Sequence, residues 1–154
     1  MSKDFADFLD SLNKEGVAYV VIGGIAVLSY IPFRTTRDLD ILIEPTLENA
    51  QKAHRAVWRW GGFEPEFPPE DFISGDILSF GGLLRVEIHS RLPGVAWNEV
   101  WQHRVTGSIF GISTHFPAIK DLIAMKRATA DPVKDLPDVQ RLTALARERG
   151  EDPD

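Results

Sequence analysis

Phe5, Phe8, Leu9 and Leu12 recur at helical spacing with acidic and basic residues between them, predicting an amphipathic helix over residues 3–15 with Gly16 as its stop. The next run, Val17-Ala18-Tyr19-Val20-Val21-Ile22, is rich in β-branched residues and predicts a buried strand ending at Gly23-Gly24. A helix from Ile25 to Tyr30 opens directly after the two glycines and stops before Pro32, which cannot continue it. From Asp38 to Glu44 the period changes to two. Asp38, Asp40, Leu42 and Glu44 share one face, while Leu39, Ile41 and Ile43 take the other, as on a half-buried strand.

Thr46 stands as the N-cap of a further helix carrying Ala50, Ala53, Val57 and Trp60, which Gly61-Gly62 ends. Pro65, Pro68 and Pro69 make a loop of residues 64–70, and the segments Phe72–Phe80 and Leu83–His89 predict a hairpin around Gly81-Gly82. A smaller hairpin is expected to turn at Thr106-Gly107-Ser108. Pro117 suits the first turn of a helix running to Thr129, and Asp135 is placed to cap a last helix carrying Leu136, Val139, Leu142 and Leu145. The order α-β-α-β-α-β-β with helices at the end predicts one domain over residues 1–154. Its class is α/β (α+β): a small mixed sheet flanked by helices, with a C-terminal helical pair.

Composition narrows the chemistry. At 154 residues and 44% hydrophobic, the chain can bury one sizeable core. Its net charge of −6 disfavours gripping a long polyphosphate backbone, whereas a single nucleotide needs only a local cluster of Arg and Lys. With no cysteine, thiolate sites are excluded. His54, His89, His103 and His115 lack close ligand spacing, so a metal is expected to be held by oxygen, with His89 at the edge of the site. The charged N-terminus and the absence of a membrane-length apolar run lead to the expectation of a cytoplasmic protein with no membrane partner.

Asp38 and Asp40 project from the same strand face with Cα atoms roughly 6.6 Å apart, given a rise of about 3.3 Å per residue. Alone, such a pair also suits a solvated face. Carboxylates at this spacing can hold divalent cations, the usual device for displacement at phosphorus. Upstream, a strand feeds Gly23-Gly24 and then a helix, which puts bare N–H groups and the positive end of a helix dipole where a phosphate can dock.

Val21-Ile22-Gly23-Gly24-Ile25-Ala26 together with Arg34-Thr35-Thr36-Arg37-Asp38-Leu39-Asp40 resembles the polymerase β-like nucleotidyltransferase superfamily. It looks closest to the small stand-alone group that includes toxin-type nucleotidyltransferases of the AbiEii kind. The resemblance implies a nucleotidyltransferase fold in which Gly23 and Gly24 cradle the phosphates and Asp38 and Asp40 bind Mg2+ (or Mn2+). It also implies a third carboxylate on a neighbouring strand. Glu87 is the candidate, because Arg85, Glu87 and His89 alternate with Leu84, Val86 and Ile88, although the superfamily more often has aspartate there. Arg34, Thr36 and Arg37 are expected to meet the triphosphate or an acceptor, and Lys126, on the C-terminal helix, to point back toward the phosphates.

The implied reaction moves a nucleoside monophosphate from an NTP to a hydroxyl on a tRNA end, a protein or a small molecule, releasing pyrophosphate. The alternative is a catalytically weak nucleotide-binding or antitoxin-like module of the same fold. Trp97 and Trp101, one helical turn apart, suggest core or interface surface, so a homo-oligomer or a cognate antitoxin is a further expected partner.

Overall fold

The computed structural model describes residues 4–31, 37–128 and 135–154. The N-terminal helix, α1 (Phe5–Lys14), is capped by Asp4, whose Oδ1 accepts from the Asp7 N–H at 2.8 Å. Its apolar stripe of Phe5, Phe8, Leu9 and Leu12 is buried. Strand β1 (Tyr19–Ile22) is buried throughout and runs into α2 (Gly23–Tyr30), which begins on the glycines themselves rather than after them. Strand β2 (Asp38–Ile43) follows, with Leu39, Ile41 and Ile43 fully buried and the two aspartates half-buried between them.

Helix α3 (Leu47–Gly61) has the predicted Thr46 cap, with Thr46 Oγ1 accepting from Asn49 N at 3.2 Å, and ends on left-handed Gly62. The prolines lead into a short 3-10 helix (Pro69–Ile73), so Phe72 packs in that turn instead of opening a strand. The hairpin around Gly81-Gly82 is present, as β3 (Leu78–Gly81) against β4 (Arg85–His89). Then come α4 (Trp97–His103), the strands β5 (Val105–Ile109) and β6 (Ile112–Phe116), and the helices α5 (Ile119–Ala128) and α6 (Leu136–Glu148).

The first four strands form a sheet in the order β1-β2-β4-β3; β5 and β6 form a separate pair. β1 runs antiparallel to β2, β2 parallel to β4, and β3 antiparallel to β4. The expected small mixed sheet flanked by helices is therefore observed. Among the described residues, no helix is long and apolar enough to cross a membrane.

Two further local expectations need correction. Thr106, Gly107 and Ser108 lie inside β5, and the turn falls at Phe110-Gly111, with φ of 55° and 77°. The Phe110 ring, about half exposed, lies 5.8 Å from that of Phe5. Asp135 stands at the start of α6 but makes no cap bond, because its backbone is helical (φ −96°, ψ −30°) and its carboxylate is engaged with Lys126.

Buried Asn49 joins α3 to the strand edges. Its Oδ1 accepts from Ala18 N at 2.8 Å, and its Nδ2 donates to Ala18 O at 3.0 Å and Glu44 O at 3.1 Å. Both carbonyls keep another partner, since Ala18 O also accepts from Glu44 N and Glu44 O from Thr46 N. The Ala18 N–H is the group that Asn49→Ala would orphan, and an unsatisfied buried donor costs about 1–3 kcal/mol. Chemical denaturation of this variant is expected to show a loss of about 2 kcal/mol; a loss below about 0.5 kcal/mol would contradict this role.

Candidate functional site

β2 and β4 pair in parallel with Asp40 opposite Glu87, Asp38 opposite Arg85 and Leu42 opposite His89. In-register residues of neighbouring strands project from the same face, so the register carries Asp38, Asp40, Glu87 and His89 to one side of the sheet. Asp40 is also opposite Ile22 on β1, at the point where β1 passes into α2.

The cluster is tight. His89 Nε2 lies 3.0 Å from Asp40 Oδ1 and 4.0 Å from Glu87 Oε2. One donor atom from each of Asp40, Glu87 and His89 falls within 4.8 Å of the others. Adjacent ligands of a cation bound at about 2.1 Å are roughly 3.0 Å apart in octahedral geometry and opposite ones about 4.2 Å. The two His89 spacings, 3.0 and 4.0 Å, fall within that range, and all three donors are of types that hold a divalent cation. Their side chains retain 18%, 23% and 10% exposure for Asp40, Glu87 and His89, so the site is recessed but open to ligand.

Gly23 closes the floor of the cluster. Its φ is +67°, and a Cβ there would stand 2.7 Å from Asp40 Oδ2. Only a residue without a side chain lets the start of α2 come this close to the carboxylate. Gly24 follows in the same first turn, whose N–H groups have no partner within the helix.

The electrostatics agree with the geometry. The Glu87 carboxyl is pushed above its ordinary value, first by burial, then by a hydrogen bond and like charge from Asp40, with Asp38 adding in the same direction and His89 opposing. Arg85 offers little relief, its Nη1 standing 3.8 Å from Glu87 Oε1 with half its side chain exposed. This face thus crowds carboxylates, and among the described residues the basic partners of Glu87 stand at 3.8 Å or more, as expected where a cation or a proton is to be held.

Arg37 is exposed immediately before β2, at the rim of the acidic face. Arg34 and Thr36 lie outside the described residues. Lys126, expected to reach toward phosphates, is buried on α5, with Nζ 3.3 Å from Asp135 Oδ1 and 3.5 Å from Asp138 Oδ2 on α6. These two contacts tie α5 to the start of α6. Trp97 and Trp101 stack at 5.2 Å and are half-buried, with His115 edge-on to Trp101 and the Arg104 guanidinium 3.8 Å from the Trp101 ring centre.

No protein-family model matches this sequence, and neither does any curated protein. The structure does have a solved counterpart: the crystal structure of an antigenic nucleotidyltransferase-like protein from Paracoccidioides brasiliensis superposes with a TM-score of 0.52. That likeness covers 91% of this chain and 74% of the other at 17% identity. The fold is nucleotidyltransferase-like. At this identity the likeness extends to the fold alone.

The residue underrated by sequence reasoning is His89. Histidine spacing offers no ligand motif, and the available signal was its place on the polar face of β4 with Glu87; a parallel register with β2 cannot be read from that alternation.

Two outcomes follow. Gly23→Ala forces a Cβ against Asp40 at positive φ, so it should lower stability by about 1 kcal/mol or more and weaken divalent-cation binding by calorimetry. Unchanged cation affinity would contradict the close approach. Glu87→Gln tests the crowding of charge. A carboxyl whose folded pKa is raised loses stability as pH rises from its unfolded value, near 4.5, through the folded one, and the cost is complete above that. At neutral pH without metal, Glu87→Gln should therefore melt higher than the wild type, with the difference vanishing below pH 4.5. A lower melting temperature at neutral pH would count against repulsion in the cluster.

Proposed function

We propose that this chain is a metal-dependent nucleotidyltransferase of the polymerase β-like superfamily, nearest the small stand-alone group of AbiEii-type enzymes. It transfers a nucleoside monophosphate from an NTP to a hydroxyl acceptor. The observation that carries the reading is the register that sets Asp40 beside Glu87 with Gly23 backbone against Asp40, joining an acidic face to a helix start.

Asp38, Asp40 and Glu87 would hold Mg2+ or Mn2+, which supplies charge neutralisation at the phosphates and acidifies the attacking hydroxyl. The remaining work falls to the chain. The first-turn N–H groups of α2 at Gly23 and Gly24 bind phosphate oxygens at the positive end of the helix, and the missing side chains allow close approach. Arg37, with Arg34 and Thr36 of the same linker, adds charge-assisted hydrogen bonds that orient the triphosphate. The acceptor oxygen bonds to the α-phosphorus as the bond from that phosphorus to the bridging oxygen breaks, and pyrophosphate leaves. The hydroxyl proton passes to a carboxylate oxygen of Glu87. The net charge of −6 favours a tRNA end, a protein side chain or a small molecule over a long nucleic acid as acceptor.

Incubation with each NTP, a divalent cation and a cell extract, followed by pyrophosphate release and label transfer, tests the reading. Asp40→Ala should reduce transfer by about a hundredfold or more. Transfer that survives this change would refute the mechanism. One observation favours a second reading, a nucleotide-binding or antitoxin-like module with little turnover: glutamate stands at 87 where the superfamily more often has aspartate. Nucleotide binding without transfer by the wild type would decide for it.

A further inference from the structure

We propose that His89 supplies a nitrogen ligand to the cation of this site, and that the mixed nitrogen and oxygen donor set makes the chain prefer a first-row transition ion over Mg2+. The inference rests on the cation-binding part of the proposed function and goes beyond it in naming the metal class and the residue that selects it.

Three observations carry it. First, His89 Nε2 stands 3.0 Å from Asp40 Oδ1 and 4.0 Å from Glu87 Oε2, the spacings of adjacent and nearly opposite ligands about one ion. Second, the imidazole is 10% exposed on the last residue of β4, so it is held among the carboxylates and has little room to swing out and leave an all-oxygen site. Third, the other histidines are engaged elsewhere: His54 against Trp58 and Phe72, His103 with Asp121, and His115 with Trp101 and Thr106.

The selectivity follows from donor chemistry. Mg2+ favours oxygen ligands and keeps much of its water shell, whereas imidazole is a better donor to the later first-row divalent ions. A buried imidazole within ligand distance of two carboxylates displaces water that Mg2+ releases reluctantly. Coordination uses the Nε2 lone pair, so the ring proton of the loaded site sits on Nδ1, and the hydrogen bond to Asp40 is exchanged for a shared ion.

Mn2+ is a suitable probe because its unpaired electrons report coupling to ligand nitrogen. Metal-free protein is titrated with Mn2+ by electron paramagnetic resonance, and the bound ion is measured by pulsed methods in unlabelled and histidine-15N protein, with Asp40→Ala as control. We expect Asp40-dependent binding, a directly coordinated nitrogen whose signal switches from the 14N to the 15N pattern on labelling, and displacement by Mg2+ only at tenfold excess or more. In His89→Gln the histidine coupling should disappear, and the preference for Mn2+ over Mg2+ should fall at least tenfold. The labelling comparison uses the wild-type chain and so decides the matter even if that variant folds poorly. Asp40-dependent Mn2+ binding without histidine coupling overturns this inference and leaves the carboxylate site standing. Absence of Asp40-dependent binding by either ion overturns both.

Discussion

In the parallel pairing of β2 with β4, Leu39 and Ile41 stand beside Val86 and Ile88, and the burial of these four side chains holds Asp40 next to Glu87. A slip of one residue would turn Glu87 to the apolar face and set Val86 or Ile88 beside the aspartate. All four apolar residues are fully buried, each contributing about 1.5–3 kcal/mol. Two like charges 4 Å apart near a protein surface oppose each other by about 4 kcal/mol, and less when exposed to water. The apolar alternation therefore prevails, and the acidic face is assembled against its own repulsion. The features that distinguish the site, the raised Glu87 pKa and the His89 contact, are consequences of that register.

Gly23 adds a second constraint of a different kind. The sheet brings the carboxylates together, but the chain must leave β1 and start α2 within van der Waals reach of Asp40. The positive φ and the lack of a Cβ meet this requirement at one residue. As a result the partial positive charge of the helix start and the full negative charges of β2 and β4 lie side by side, an arrangement suited to a ligand carrying phosphate oxygens and a cation together.

Much of this could be read from the chain. Periodicity located α1, β1, β2, α3 and the β3–β4 hairpin, because each is coded by local alternation or by strong caps such as Thr46 and Gly62. Asp38, Asp40 and Glu87 fell on polar strand faces for the same reason. The relation between strands distant in sequence was not legible, and so neither was the contact of His89 with Asp40, 49 residues away. Where tertiary contacts outweighed local preference, local reading failed. Phe110 takes a turn normally given to Asn or Gly with its ring against Phe5, and Asp135, with helical backbone angles, turns its carboxylate to Lys126 instead of capping α6. For Lys126, helical phase indicated the inward direction correctly but could not identify the buried acids of α6 as its partners.

The strand order β1-β2-β4-β3 puts both acid-bearing strands inside the sheet and leaves the edges to β1 and β3. A sheet frays from its edges, where one side of each strand lacks ladder hydrogen bonds, whereas an interior strand is released only when a neighbour has already opened. Amide protons of β2 and β4 should thus rank among the slowest of the chain to exchange with solvent. The backbone that carries the carboxylates is thereby the part of the sheet held on both sides.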